Sequence, residues 1–418
     1  MKRKILLLLL MPVYTMAQQN TITLQKVNEL AQQHYPLIKQ KDLLKQTSGL
    51  TIENLGKNFL PQVSFNGQAT YQSDVTSVSI PIPGITINPP SKDQYKLLAD
   101  VSQLVYDGGI IKEQKNLQQL NEAAEQQKIE VELYKVKERV NQLYLSVLYL
   151  DEQLKQVELV KTDLSTGLKK TEAMVNNGVA FRSNVNLLQA EILKAEQRTI
   201  ELAASRKGIL DVLALFTGET YNENTVLEKP AVIAVTIADI QRPELKLFSA
   251  QQQLFTSQYK LIDAKNRPKA SVFWQGGYGR PGLNFLKNDF AFFYTTGVRL
   301  NWSFGGLYTQ KREKQIAGIN QKTIEIQKET FLLNTNTTLK QQQSEIDKLQ
   351  QLIDKDAAII DLRVKVKEAA KAQLENGVIT ANDYLREVNA EDQSRQALIT
   401  HQVQLLQAQI NYQTISGK

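Results

Sequence analysis

The chain has 418 residues, of which 42% are hydrophobic and 22% charged, and its formal net charge is +7. This balance is typical of a folded protein and excludes a disordered one. The absence of cysteine excludes disulfides, thiolate metal sites and cysteine nucleophiles, and the two histidines, His34 and His401, lie far apart, which excludes most zinc and triad chemistry. Basic residues are interspersed with Glu, Asp and Gln, which indicates a solvated surface rather than a nucleic-acid-binding one.

Residues 1–17, MKRKILLLLLMPVYTMA, have the pattern of a secretory signal peptide. Basic residues at positions 2–4 precede an apolar stretch at 5–11, and small residues stand before a cleavage point after Ala17. The alternative is an uncleaved anchor, but the apolar stretch is too short to cross a bilayer well. No later segment has about 18 consecutive apolar residues, so we expect an exported chain that is periplasmic, secreted or anchored in the outer membrane by strands.

Proline and glycine positions indicate that a whole structural unit is duplicated within the chain. Pro36 and Pro61 recur 207 residues later as Pro243 and Pro268. The glycine pairs at 108–109 and 305–306 differ by 197, and the Asn-Gly breaks at 177–178 and 376–377 differ by 199. Each half therefore reads helix, strand, loop, strand, very long helix, break and helix. The first loop is longer and contains SIPIPGITINPP at 79–90, which we interpret as an extracellular loop.

Runs of alternating apolar and polar residues predict four strands, at 62–72, 94–109, 269–279 and 290–306, the second and fourth ending in a glycine pair. The alternating runs at 62–72 and 290–302 are each close to the length of about ten residues at which a tilted strand crosses a bilayer. The aromatic residues expected to form an interfacial girdle are Trp274, Tyr278, Phe290, Phe292 and Trp302. A soluble sandwich with one buried face remains open, because alternation alone does not distinguish lipid from a protein core.

Four strands cannot close a barrel, and an open sheet edge in lipid leaves backbone groups without hydrogen-bond partners. A membrane sheet of this size therefore requires an oligomer. Three chains would supply twelve strands, a reasonable number for an open channel.

The segments that follow each hairpin predict very long helices. The segment from Ile110 to Asn176 has 67 residues and would reach about 100 Å as a helix. Apolar residues recur along it and its counterparts at coiled-coil spacing. They are Leu133, Val136, Val140, Leu143, Val147, Leu150, Leu154 and Val157, then Val185, Leu188, Ile192, Ala195 and Leu202, then Leu332, Leu339, Ile346, Ile353 and Ile360. A coiled-coil rod explains these helices but not the export signal or the amphipathic strands.

Together these features resemble the TolC-like outer-membrane efflux protein family. The motifs that carry the resemblance are LVYDGG at 104–109 and NWSFGG at 301–306, with the breaks NNGV at 176–179 and ENGV at 375–378. The resemblance covers nearly the whole mature chain in both repeats. The strand-to-helix turns are assigned to Asp107, Gly108, Gly109, Gly305 and Gly306. Glycine suits such turns because it tolerates positive φ.

The resemblance implies a mainly α-helical homotrimer in the outer membrane of a Gram-negative bacterium. A 12-stranded β-barrel, four strands from each chain, would continue into a periplasmic barrel of long helices. Such proteins are passive exit ducts that dock onto a periplasmic adaptor and an inner-membrane transporter, which supplies the energy. No cofactor, metal ion or nucleic acid is expected. The corresponding segments are signal peptide 1–17, N-terminal helices 18–61, first hairpin 62–109, first long helical hairpin 110–216, equatorial linker 217–242, second-repeat helix 243–268, second hairpin 269–306, and second helical hairpin with the C-terminus 307–418.

The resemblance also places the Asn-Gly breaks at the periplasmic tip, where the helical barrel closes at rest. The tip turns and adaptor contacts are assigned to Asn177, Gly178, Val179, Asn376, Gly377 and Val378. In the family an acidic pair after the second glycine lines the aperture. Asp383 matches the first acid, whereas Arg386 stands where the second is expected, and Asn184 of the first repeat is assigned to the same gate. Asp383 could equally be a first-turn acid favoured by the helix dipole. The N-caps are predicted to be Ser183 and either Thr380 or Asn382.

Two other function classes stay open. A periplasmic coiled-coil adaptor or structural rod with a small soluble β-domain would bury the aromatic strand residues, whereas a duct exposes them to lipid. A duct for secreted polypeptides would have the same architecture as one for drugs or metabolites. Residues 277–282, GYGRPG, match a nucleotide-binding pattern, but Pro281 within it indicates a hairpin turn instead. No catalytic motif is present, and we expect no enzyme.

Overall fold

The computed structural model describes residues 21–77, 89–231 and 239–418. The predicted signal peptide and its cleavage point lie outside the described residues, as does most of the insertion at 79–90. A single 3-10 turn, Pro36–Ile38, precedes the second helix. The elements are α1 Leu24–His34, α2 Lys39–Lys57, β1 Gln62–Tyr71, β2 Asp93–Tyr106, α3 Ile110–Asn176, α4 Arg182–Thr217, α5 Pro243–Lys265, β3 Lys269–Arg280, β4 Ala291–Asn301, α6 Leu307–Glu375 and α7 Ala381–Ser416.

Apart from α1 and the 3-10 turn before α2, the two halves have the same element order: helix, two strands, a very long helix and a shorter helix. The long helices α3 and α6 have 67 and 69 residues, and the returning helices α4 and α7 have 36 each. This order is consistent with the predicted duplication. Among the described residues, no helix is both long and apolar enough to span a membrane.

The chain divides into two compact units. The helical unit comprises the described residues of Met1–Ile38, Glu132–Arg242 and Asn334–Lys418. The sheet unit comprises the described residues of Lys39–Val131 and Pro243–Leu333. The long helices pass from one unit to the other along the sequence, so each unit contains one part of α3 and one part of α6.

The core of the helical unit uses the predicted seams. Val140 and Val147 of α3 are fully buried, and they pack in one cluster with Val27 of α1, Leu210 of α4 and Leu406 of α7. Most predicted seam residues are buried, and the others, such as Leu143 and Leu154, are partly buried. The 3-4 spacing of apolar residues on long helices therefore identified the packed faces correctly.

The four strands form one antiparallel sheet in chain order. Their bounds agree with the predicted runs to within a few residues, with two differences. Phe290 and Trp302 lie one residue outside β4 rather than within it. Residues 277–280 of the GYGRPG segment belong to β3, where Gly277 pairs with both Leu98 and Phe293, so the predicted hairpin turn begins only at Pro281.

The first strand-to-helix turn requires glycine for two separate reasons. Gly108 and Gly109 have φ of 76° and 89°, in the left-handed region that other residues avoid. A Cβ on Gly108 would also lie 2.8 Å from the carbonyl oxygen of Ala264. The buried carboxylate of Asp107 accepts hydrogen bonds from the amides of Gly109, at 2.8 Å, and Ile111, at 2.5 Å. Asp107 thereby satisfies amides that the first turn of α3 leaves without partners.

The second strand-to-helix turn differs. Neither Gly305 nor Gly306 has a positive φ, so the backbone reason proposed for both glycine pairs applies only to the first pair. A Cβ on Gly306 would lie 2.2 Å from the amide oxygen of Asn266, so the Asn266 side chain would have to move. A Cβ on Gly305 would meet nothing closer than 3.8 Å.

Gly108→Ala is therefore expected to destabilise the protein by at least about 2 kcal/mol, because it adds left-handed strain to a clash with rigid backbone. Gly305→Ala is the matched control and should change the free energy of unfolding by no more than about 0.5 kcal/mol. Thermal unfolding of the detergent-solubilised protein, followed by circular dichroism, measures both. Equal stability of the two variants would contradict this account of the first turn.

Candidate functional site

The two Asn-Gly breaks form the same helix-ending turn. Val179 N–H donates to the Met174 carbonyl at 2.9 Å, and Val378 N–H donates to the Gln373 carbonyl at 2.8 Å. In each turn the glycine amide donates to the backbone carbonyl of the residue three positions earlier, at 3.0 Å. Gly178 and Gly377 have φ of 75° and 71°. Both turns are therefore Schellman motifs, in which a left-handed glycine satisfies the last carbonyls of a helix.

Each turn presents an apolar side chain to solvent. Val179 and Val378 are both 70% exposed. The side chain of Asn376 donates to the Ala372 carbonyl at 2.7 Å and so stays on its own helix.

The helices that follow the two turns begin differently. The N-cap of α7 is Thr380, one of the two predicted alternatives, and it forms a capping box with Asp383. The N-cap of α4 is Phe181, whose side chain makes no capping bond and is 82% exposed. The prediction of Ser183 as N-cap is therefore wrong, because α4 already begins at Arg182. The prediction relied on residue types that usually cap helices. The extended residue before α4 is instead Phe181, which has no capping group.

The gate candidates lie at the starts of these two helices, with Asn184 and Asp383 in the first turn and Arg386 in the second. The Asp383 carboxylate accepts hydrogen bonds from the Thr380 hydroxyl at 2.7 Å and from the Thr380 amide at 3.1 Å. These two hydrogen bonds lower the pKa of Asp383 below its ordinary value. Arg386 is exposed and donates from Nε to Glu387 at 3.2 Å. Asn184 is half-buried, and its amide donates to the Phe181 carbonyl. Asp383 therefore caps its helix, a role that does not exclude it from lining an aperture.

A buried ion cluster lies near these turns and was missed from the sequence. Lys367 of α6 is 7% exposed, and its Nζ lies 2.7 Å from Asp163 of α3 and 2.7 Å from Glu391 of α7. Arg395 also bonds Glu391, at 2.6 Å. The signal that could have found the cluster is its spacing, because Lys367 continues the heptad of apolar residues that ends at Ile360. A charge at a seam position implies a buried partner.

The ion pairs of this cluster link α3, α6 and α7. Burial alone would lower the pKa of Lys367, but the hydrogen bonds that its ammonium donates to Asp163 and Glu391 outweigh burial and raise this pKa. Burial would raise the pKa of Glu391, but hydrogen bonds from Lys367 and Arg395 outweigh it and lower this pKa. The fully buried Tyr384 packs beside the cluster, and burial with the charge of Asp163 raises its pKa to about 12.

The two faces of the sheet differ sharply. Residues directly opposite in an antiparallel ladder share a face, and the register therefore assigns each strand residue to one face. The apolar face carries Val63, Phe65, Ala69, Tyr71, Tyr95, Leu97, Ala99, Val101, Ala270, Val272, Trp274, Tyr278, Phe292, Tyr294, Val298 and Leu300, with Asp93, Gln103, Arg280 and Thr296 as polar exceptions. The polar face carries Gln62, Ser64, Asn66, Gln68, Thr70, Gln94, Lys96, Asp100, Ser102, Lys269, Ser271, Gln275, Thr295, Arg299 and Asn301, with Leu98, Leu104, Phe273, Ala291 and Phe293 as apolar exceptions.

The predicted girdle residues lie at different levels of the sheet. Tyr278 contacts Phe290 and Phe292, with ring centroids 5.5 and 4.6 Å apart, at the end where β3 leads into β4. Trp302 lies at the opposite end, packs against Phe304 and donates its indole N–H to the Asn266 carbonyl at 3.0 Å. Trp274 stands in the middle of β3 rather than at a strand end. Phe292 is 86% exposed, so the apolar face has no protein cover in the described chain.

Lys367→Met is expected to destabilise the protein by about 3 kcal/mol, because two carboxylates lose their shared cation. Lys365→Met is the matched control, since Lys365 forms an exposed pair with Asp361 on the same helix. The raised pKa of Lys367 gives stability that is present below its ordinary value of 10.5 and lost at higher pH. The lowered pKa of Glu391 gives stability that is present above 4.5 and lost as the pH falls further.

Thermal unfolding in detergent between pH 3 and pH 11, with about one pH unit between points, measures this dependence. The difference between wild type and Lys367→Met should be largest near neutral pH and should shrink at both limits. A difference that stays constant below pH 4.5 would show that Glu391 does not depend on the lysine.

Comparison with known proteins gives a consistent result. The outer membrane efflux protein family model matches residues 27–219. No curated protein sequence matches the chain significantly. Similar solved structures include the outer membrane protein VceC of Vibrio cholerae, 16% identical with a TM-score of 0.65, over 94% of this chain and 96% of that one. The outer-membrane channel OprN is 14% identical with a TM-score of 0.68, over 94% and 89%. The open-state MtrE channel of Neisseria gonorrhoeae is 15% identical with a TM-score of 0.64, over 94% and 89%.

At these identities the structural likeness establishes the fold, which is that of the TolC-like channels over nearly the whole chain. The family model covers the first half, from α1 to the end of α4. Residues 27–219 thus match the outer membrane efflux protein family, and the chain as a whole has the fold of the TolC-like outer-membrane channels.

Proposed function

We propose that three copies of the chain form the outer-membrane exit duct of a tripartite efflux or type I secretion system. One observation carries the proposal. The sheet exposes its apolar face, and within the described residues β1 and β4 each pair with a strand on one side only. In lipid, backbone groups without partners cost several kcal/mol each. Pairing β1 of one copy with β4 of the next satisfies both edges, and three copies close a 12-stranded barrel.

The duct is passive and exports small molecules such as drugs or metabolites. The energy comes from an inner-membrane transporter, which a periplasmic adaptor connects to the duct. The tip turns are the adaptor contacts, and the exposure of Val179 and Val378 supports this role. The described residues of the 217–242 linker form part of a belt around the helical barrel. The chain reaches the outer membrane through a signal peptide that is removed after residue 17.

The exposed apolar face also favours this function over a soluble coiled-coil adaptor or rod. A soluble β-domain would bury the apolar face, whereas Phe65 and Phe292 are among the most exposed side chains of the sheet. A duct for polypeptides would use the same architecture. Drug sensitivity of a deletion strain, compared with its pattern of secreted proteins, separates the two cargoes.

Two neighbouring residues of β4 test which face meets lipid. Tyr294→Lys places a charge on the apolar face in the middle of the strand, which should cost about 2–4 kcal/mol in lipid and reduce the yield of membrane-inserted trimer. Thr295→Lys places the same charge on the polar face and should leave the yield unchanged. Membrane fractionation and native mass spectrometry measure insertion and oligomeric state. A wild-type protein that is soluble in the periplasmic fraction without detergent would overturn the proposal.

The gate residues have a separate test. Asp383→Ala combined with Arg386→Ala is expected to raise single-channel conductance in planar bilayers, because three acids and three bases around the axis of a trimer would pair across the closed aperture. The matched control is Asp361→Ala with Lys365→Ala, which removes one acid and one base from the surface of α6. Unchanged conductance in the gate variant would mean that these residues do not hold the aperture shut.

Asp383→Asn separates charge from capping at the same position. An amide oxygen can still accept the hydrogen bonds from Thr380, so the helix keeps its cap while the charge is lost. If the carboxylate acts through its charge, this variant should open the channel as far as Asp383→Ala does.

A further inference from the structure

The charged residues of the four strands are divided unequally between the two faces of the sheet. Lys96, Lys269 and Arg299 lie on the polar face with one carboxylate, Asp100. The apolar face carries one acid and one base, Asp93 and Arg280, which bond to each other at the end of β3. The polar face therefore has an excess of positive charge, whereas the apolar face is balanced.

The single carboxylate of the polar face is already engaged. Asp100 accepts hydrogen bonds from the side-chain amides of Asn66, at 2.9 Å, and Gln275, each on a neighbouring strand. Neutral amides stabilise the charge of Asp100 without cancelling it, so the face keeps three cations against one anion. The guanidinium of Arg299 lies 4.7 Å from the ring of Phe273, on the same face. Within the described strands, the pair between Asp93 and Arg280 is the one ion pair.

The cations stand at both ends of the sheet. Lys269 and Arg299 lie at the end next to the strand-to-helix turns, where Lys269 pairs with Asn301 in the ladder. Lys96 lies towards the other end, opposite Gly279. A solute that moves along the polar face therefore passes a positive charge as it enters and another as it leaves.

We propose that this face makes the membrane-spanning part of the duct selective for anions, so that its cargo is small organic anions. The inference rests on the proposed function, because it requires the polar face to line the lumen of a trimer. In that arrangement each cation becomes a ring of three. A narrow passage with low-dielectric walls focuses such a field and concentrates the opposite charge. The opposing charge of Asp100 lies between the two cationic levels and reduces the selectivity without reversing it.

Reversal potentials in a potassium chloride gradient across planar bilayers test the proposal. The measurements use the wild type and the Asp383→Ala, Arg386→Ala variant, in which the tip charges do not contribute. Both proteins should pass chloride in preference to potassium. Selectivity should be stronger near 0.1 M salt than near 1 M, because the screening length falls from about 10 Å to about 3 Å.

Single substitutions on the two faces make the test specific. Lys96→Gln, Lys269→Gln and Arg299→Gln should each lower the chloride-to-potassium permeability ratio, by roughly two-fold. Asp100→Asn, which keeps the shape of the side chain, should raise the ratio. Arg280→Gln is the matched control, because it removes a cation from the opposite face of the same sheet and should leave the ratio unchanged.

The outcomes separate this inference from the function on which it rests. Cation-selective channels, or a ratio that Arg280→Gln lowers as much as Arg299→Gln does, would overturn anion selectivity while leaving the duct intact. Failure of the wild type to form any channel would overturn the duct, and anion selectivity with it.

Discussion

A strand in lipid must find hydrogen-bond partners for its backbone in other strands, because no water is available to replace them. Four strands with two open edges cannot meet this requirement within one chain. In the proposed assembly β1 of one copy would pair with β4 of the next. The chain would then insert into the membrane only as a trimer. In that assembly the apolar face would meet lipid and the polar face would meet solute, and the distribution of charge between the faces would affect which solutes pass.

The two halves reach similar geometry with different side chains. Asp107 satisfies the first amides of α3, whereas its counterpart Phe304 packs on Trp302. At the other end of the helices, Thr380 caps α7, whereas its counterpart Phe181 leaves α4 uncapped. Each half thus keeps one well-capped helix start and one that carries an exposed aromatic residue. The tip turns share one backbone conformation, whereas the strand-to-helix turns differ in φ as well as in side chains.

Much of the fold could be predicted because its elements are long and their periodicity is strong. The predicted bounds of α3, 110–176, are those observed, since a glycine turn stands at both ends. The helix caps, the glycine turns and the ion cluster depend on three-dimensional contacts, which a single sequence does not reveal. Ser183 was chosen as a cap by residue type, but the backbone leaves the turn at Phe181. Gly305 matches Gly108 in sequence but not in φ. The partners of Lys367 lie on two other helices, so only its position in the heptad could have indicated them.

The long helix α6 exceeds α3 by two residues, and the position of that difference has a consequence. Two extra residues rotate a helix by roughly 200°, enough to turn a buried face outwards. Buried residues of α3 in the helical unit nevertheless have buried counterparts in α6, 199 residues later in the sequence, which is also the spacing of the two tip turns. Examples are Val140 with Leu339 and Val147 with Ile346. Counted from the tip turns, Ile110 at the start of α3 corresponds to Thr309, so the two extra residues of α6 are Leu307 and Tyr308 at its sheet end. The sheet end is consequently where the two halves are free to diverge, and their unlike glycine turns lie there.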